Sequence, residues 1–312
     1  MKKRWILLSS VLVLSLGLNG LTITKLRQER QNWNLSFENA NSWENYITIH
    51  HVKEAHQKSK GNGIKVGILD HYFGTKIHNE LYAGEVDFLN AIQEHEKISE
   101  HGYWMSCTLK EIAPECEVYA LSTLDSRDEK KKVEAMVKAI DWAIENKLDV
   151  LTYSEGMIES EENKALLDSA VEKAEQNGII TTFIHYEHPS NLEPIGMYDE
   201  SEAPEGMPKV TIYSYDYNLL LKDAFNRFAM GKTGTEESLD LFFSNSSMSV
   251  VTAGFMAILK SINPTLTPAE YRKILMESAH EAEITEPQTL KEIQVKHLAD
   301  IENAINYMEQ NY

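Results

Sequence analysis

The stretch Ile64-Lys65-Val66-Gly67-Ile68-Leu69-Asp70 is an apolar run that ends on a carboxylate, and Gly61-Asn62-Gly63 punctuates the chain just before it. A short apolar run bounded by turn residues reads as a buried strand. Downstream the pattern alternates. A strand over 117–121 precedes a helix over about 130–145, where Val133, Met136, Val137, Ile140 and Ile144 share one face. A strand over 149–153 precedes a helix over about 162–176, with Leu167, Ala170, Val171 and Ala174 at helical spacing. Gly178 stops that helix, and a strand over 179–184 follows. Strands separated by helices of this length imply an α/β fold, a mostly parallel sheet covered by helices on both faces.

The middle of the chain, 186–247, is less regular, with one strand expected over 209–214. The last third reads as helical. Residues 248–260 are apolar all round, so that helix is buried. Thr267-Pro268-Ala269-Glu270 has the form of a capping box with proline in the first turn. A final helix is expected near 296–309.

Working back toward the N-terminus, residues 24–60 are polar with scattered aromatics and read as a linker plus a docking helix near 43–57. Ahead of them, Lys2-Lys3-Arg4 precedes a mainly apolar run from Trp5 to Ile23. It reads as an uncleaved signal anchor or, alternatively, a long signal-peptide core, since Leu18-Asn19-Gly20 is a weak cleavage site. Basic residues on both flanks leave the orientation open. The expected organisation is therefore 1–23 anchor or signal, 24–60 linker and 61–312 globular domain, at the cell membrane outside the cytoplasm or secreted.

The 312 residues carry 30 Lys and Arg against 48 Asp and Glu, a net charge of -18. Such a surface repels a phosphate backbone, which excludes nucleic acid as a partner. Cys107 and Cys116 are the two cysteines, open either to pairing outside the cell or to standing as separate thiols. They have no histidine pattern beside them that would make a zinc site.

Three segments carry chemistry. Asp70 ends the first strand, and parallel sheets place reacting groups outside such strand ends. His101-Gly102 opens an apolar helix that continues through Trp104, Met105 and Leu109. Ser246 and Ser247 open the buried helix, whose N-terminal dipole favours developing negative charge. A serine nucleophile needs a base within reach, and the base needs a carboxylate to fix its tautomer. Taken singly, each residue has an ordinary structural role available: a turn aspartate, a helix-start histidine, an N-cap serine.

Together, in the order Asp, His, Ser, these segments resemble the subtilisin-like (subtilase) serine peptidase family over about residues 60–280. Ile64–Asp70 resembles its first catalytic strand and His101-Gly102 the start of its His-Gly-Thr helix. Ile112-Ala113-Pro114 resembles its Val-Ala-Pro segment, and Ser154-Glu155-Gly156 sits where it has the substrate-pairing Ser-Leu-Gly. Ser247-Met248-Ser249 resembles the nucleophile segment, and Asn263-Pro264 opens its closing helix. The resemblance implies a peptide-bond hydrolase with Asp70, His101 and Ser247 as its triad, acting on a peptide or protein substrate.

The departures are specific. His71-Tyr72 replaces the small residues that follow the family's aspartate. The nucleophile segment is one residue short before Ala253-Gly254, so an ungapped match selects Ser246, while Met248 and Ser249 favour Ser247. Where the family has an oxyanion-hole asparagine, this chain has His185-Tyr186-Glu187-His188, which leaves His185 and His188 as candidate donors. The family's calcium sites have no residue-level match, so no metal or cofactor is expected. The alternative reading is an inactive, pseudopeptidase relative that binds a peptide or protein. A nucleotide-binding domain is disfavoured, because no Gly-rich phosphate loop follows Leu69.

Overall fold

The computed structural model describes residues 46–312 except 77, 90–100, 124–127, 155–157, 185, 196–208, 212–214, 222–236, 244 and 286–291. The run Trp5–Ile23, His185 and Glu155-Gly156 therefore lie outside the described residues. No helix among those described is long and apolar enough to cross a membrane.

The centre is a five-stranded, all-parallel sheet in the order β2-β3-β1-β4-β5. Its strands are β1 (Lys65–Asp70), β2 (Gly84–Asp87), β3 (Glu117–Ser122), β4 (Val150–Tyr153) and β5 (Ile180–Phe183). In β1 the side chains alternate between the faces as the period of two demands. Val66 and Ile68 enter one hydrophobic cluster, and Leu69 enters another. The second cluster is closed by α4 (Glu129–Glu145) and α5 (Glu161–Gln176), through Val133, Met136, Ile140, Leu167 and Val171. The first is closed by α3 (His101–Ile112) and α6 (Asn245–Ile262), with α7 (Pro268–Glu277) and α8 (Ile301–Asn311) outside them.

Apolar all round, α6 is buried all round: from Ser247 to Leu259 every residue is shielded from solvent. It packs against α3 at Gly254, where a β-carbon would stand 2.4 Å from Ile112 Cγ2. Only a residue without a β-carbon permits that approach, and the crossing sets where the N-termini of α3 and α6 lie. We expect Gly254→Ala to cost about 1–3 kcal/mol by overpacking, measured by urea denaturation, and to displace the α6 N-terminus. A variant as stable as the parent would refute the tight crossing. The capping box on α7 forms as read: Thr267 Oγ1 accepts from the Glu270 amide, and the Glu270 carboxylate accepts from the Thr267 amide at 2.7 Å.

Two features depart from the sequence reading. The last third is not wholly helical, because β10 (His280–Thr285) and β11 (Glu292–Leu298) form an antiparallel pair. This pair joins β7 (Lys209–Thr211) and β6 (Glu193–Ile195) in a second sheet. Charged residues fill much of the pair, so it carries little apolar signal. A further antiparallel pair is formed by β8 (Tyr215–Leu221) and β9 (Glu237–Phe243).

The other departure is the docking segment. A single helix was expected near 43–57; two short ones form instead, α1 (Tyr46–Ile49) and α2 (Val52–Ala55). Between them His51 adopts a left-handed backbone, φ 52°. This break turns both histidines onto the chain's C-terminal region. Buried His50 donates from Nδ1 to the Ala299 carbonyl at 2.6 Å, and His51 Nδ1 lies 2.8 Å from Asp300 Oδ2. Asp300 in turn caps α8 by accepting the Asn303 amide.

The two histidines respond to pH with opposite sign. Burial, partly offset by the Ala299 hydrogen bond, lowers the His50 pKa from 6.5 to about 4. The unfolded chain therefore takes up this proton first, and stability is lost as pH falls from 6.5 to about 4. The loss from this group is about 3 kcal/mol. For His51, burial is outweighed by the hydrogen bond and charge of Asp300, and its pKa rises. Its contribution is present below 6.5 and fades as pH climbs through the folded value. Urea midpoints between pH 7 and pH 4 should fall less steeply for His50→Gln than for the parent; equal slopes would contradict the assignment.

Candidate active site

Asp70 is the last residue of the central strand and is completely buried. His101 is the first residue of α3, and its Nδ1 lies 2.8 Å from Asp70 Oδ2 and 2.9 Å from Oδ1. Gly102 makes the approach possible. Its amide donates to the His71 carbonyl at 2.8 Å, and a β-carbon there would stand 2.6 Å from that same oxygen. The start of α3 is thereby held against the exit of β1.

Burial alone would raise the Asp70 pKa. The charge of His101, its hydrogen bond and a further hydrogen bond from His71 outweigh it and hold the carboxyl below its ordinary value. The His71 amide donates to Asp70 Oδ1 at 2.7 Å, so the carboxylate is clamped from both sides. A histidine at a helix N-terminus faces the positive end of the dipole, which disfavours a positive charge on its ring. An ionised Asp70 offsets this, fixes the Nδ1–H tautomer and leaves Nε2 as the proton acceptor.

The third expected residue, Ser247, lies on the first turn of α6 with 0% exposure. Its neighbour Ser246 is partly exposed and donates from Oγ to the Ser154 carbonyl at 2.9 Å. Ser154 Oγ is 2.8 Å from Ser249 Oγ, which also contacts the Ser246 carbonyl. The end of β4 and the start of α6 are thus joined by a small hydroxyl network.

The residues after β5 are committed elsewhere. Tyr186 turns into the core and donates from its hydroxyl to Asp168 at 2.5 Å. His188, a candidate oxyanion donor, is buried; its Nδ1 accepts the Ser190 amide at 3.1 Å, and its Nε2 lies 3.7 Å from Glu172. Asn191, not considered from the sequence, accepts from the Phe183 amide and donates to the Phe183 and Tyr186 carbonyls. All of its amide groups serve the loop's shape, so it offers nothing to a substrate.

Sequence reasoning also missed His71. Its ring stacks parallel to that of His101, with centroids 5.7 Å apart and 9° between the planes. Its Nδ1 lies 3.1 Å from Asp70 Oδ1. Asp70, His71 and His101 bring three ligand atoms within 4.8 Å of one another. Cys107 and Cys116 are free thiols, which settles the alternative left open above; burial pushes the Cys116 pKa up to about 11.

No family model matches the sequence, and no curated protein matches it either. Solved structures do match. MycP1 with its propeptide removed superposes with a TM-score of 0.58 at 13% identity, over 83% of this chain and 95% of that one. The prenylagaramide maturation protease PagA gives 0.55 at 15% identity, over 82% and 98%. Fervidolysin from Fervidobacterium pennivorans, a keratinolytic enzyme related to subtilisin, gives 0.54 at 13% identity, over 81% and 44%. Likeness at this identity speaks for the backbone architecture, and with the parallel sheet and its two helical layers it gives one conclusion: the chain has the subtilisin-like fold.

Proposed function

We propose that the protein is a serine peptidase that cleaves peptide bonds through an acyl-enzyme. One observation carries the reading: a fully buried Asp70 within 2.9 Å of both its oxygens from His101 Nδ1, at the C-terminal edge of a parallel sheet. In this role Asp70 orients His101, and His101 takes the proton from a serine at the start of α6 and returns it to the leaving amine. We assign the serine to Ser246 rather than Ser247, because a nucleophile must be reachable by substrate and Ser247 has no exposed surface. Backbone amides of the first turn of α6, with its dipole, are suited to stabilise the oxyanion.

With Tyr186, His188 and Asn191 engaged in structure, this enzyme works without a side-chain oxyanion donor from those positions. The absence of one such donor lowers turnover by about 10²–10³ without abolishing it. We place the activity at the membrane outside the cytoplasm, with Trp5–Ile23 as the tether. The fold-mate MycP1, described as a serine protease and a component of a type VII secretion system, is consistent with that placement. Labelling of the purified full-length chain by a fluorophosphonate probe is the test. Covalent labelling that is lost in His101→Ala is the expected result. A chain that neither labels nor cleaves unfolded peptides, yet binds one, would establish the pseudopeptidase alternative instead.

A further inference from the structure

His71 adds to the Asp70–His101 pair a group that peptide hydrolysis does not require. Its Nδ1 lies 3.1 Å from Asp70 Oδ1, and His101 Nδ1 lies 2.8 Å from Oδ2. All three ligand atoms fall within 4.8 Å of one another. The carboxylate and His71 Nδ1 are buried, while the two imidazole side chains are 18% and 22% exposed, so the rings are the side of the cluster that meets solvent. We propose that Asp70, His71 and His101 form a site for a divalent transition metal of the Zn²⁺ type, and that its occupation switches the active site off.

The donor set suits such an ion. Two imidazoles and one carboxylate with a fourth position left to solvent make up a common zinc environment. Zinc–ligand bonds of about 2.0–2.2 Å in a tetrahedron put ligand atoms about 3.4 Å apart. Measured from the one oxygen the two histidines share, Asp70 Oδ1, the present separations of 2.9 Å to His101 and 3.1 Å to His71 need to open by only a few tenths of an ångström, and the ligand atoms of the two rings already lie within 4.8 Å of each other. Both rings are partly exposed rather than enclosed in the core. His71 is fixed by its place in the chain directly after Asp70, and its amide is already bonded to the same carboxylate.

Inhibition follows from proton bookkeeping on His101. In the metal-free pair, Nδ1 carries the proton donated to Asp70, and Nε2 holds the lone pair that receives the serine proton. A metal on Nδ1 requires that nitrogen to be proton-free, so the ring's single proton moves to Nε2. The lone pair needed for catalysis is then gone, and no proton is gained or lost overall. Protonation of either imidazole competes with the ion, so binding weakens in acid.

The inhibitory half rests on the serine-peptidase reading above; the binding half does not. The experiment is calorimetric titration of Zn²⁺ into the chelator-treated full-length chain, with fluorophosphonate labelling followed at each step. We expect one ion per chain, and labelling that slows as the site fills. His71→Phe keeps the stacked ring and removes the ligand; it should weaken Zn²⁺ by roughly tenfold or more and shift the labelling response equally. Zinc absorption spectroscopy on the parent should find two imidazoles in the first shell, which keeps the test decisive if His71→Phe misfolds. Absence of binding, a first shell without imidazoles, or equal affinity in a folded His71→Phe would overturn the site. Zinc binding that depends on His71 in a chain that never labels would uphold the site and remove the peptidase reading.

Discussion

Ser246→Ala should lower peptidase turnover by about 10⁶-fold, the scale of loss when a triad serine is removed, and abolish fluorophosphonate labelling. Ser247→Ala should leave turnover within about tenfold of the parent and cost about 1 kcal/mol of stability. The asymmetry comes from one residue of helix. Neighbouring residues point about 100° apart: Ser247 has no exposed surface, whereas Ser246 is partly open and bonded to the Ser154 carbonyl. That carbonyl belongs to the segment that resembles a substrate-pairing strand, so an incoming peptide would meet Ser246 at the strand's end. Mass mapping of the labelled peptide decides the matter directly. A label on Ser247, with Ser246→Ala still reactive, would restore the assignment that the sequence favoured.

Asp70→Asn should lower turnover by about 10⁴-fold while the fold persists. An amide at this position presents an N–H as well as an oxygen, so His101 no longer meets a pure acceptor and its tautomer is no longer enforced. The substitution also removes the negative charge that offsets the helix dipole at His101. The parent's acid response has a definite sign. Since the Asp70 pKa is held below its ordinary value of 3.8, its contribution to stability is present above that pH and is lost as pH falls through the folded value. This window lies below the one governed by His50, so urea midpoints against pH should show two separate declines. The lower decline should be shallower in Asp70→Asn, the remainder coming from other carboxyls held below their ordinary values, such as Glu175 beside Ser190 and Arg272. Turnover within tenfold of the parent, with folding intact, would count against Asp70 as the group that orients His101.

The architecture was legible because it follows from local chemistry. The apolar run into Asp70 and the alternation of strand and helix periods led to a parallel sheet with helices on both faces. The apolar residues on every side of 248–260 led to a buried helix. The capping box at Thr267 was readable from four residues. The pair β10–β11 was not, because charged strands lack the apolar alternation that marks one. The break between α1 and α2 was also hidden: His51 is left-handed, and the burial of His50 beside Ala299 depends on residues almost 250 positions away.

At the site itself, the sequence by itself determined which residue types stand at a strand end and at two helix starts. It also determined that Gly102 and Gly254 are the residues able to bring those elements close, since an absent β-carbon is a property of the residue alone. Only the tertiary structure decided which serine meets solvent, because exposure depends on what packs around each face of α6. It alone buried Tyr186 and His188 and set them against Asp168 and Glu172, since these partners lie on α5 and not in the loop after β5. It alone stacked His71 on His101, a juxtaposition across 30 residues of sequence. Sequence fixes the donors and acceptors a chain can offer; distance, burial and orientation arise when separate elements share one space, and these decide what each donor does.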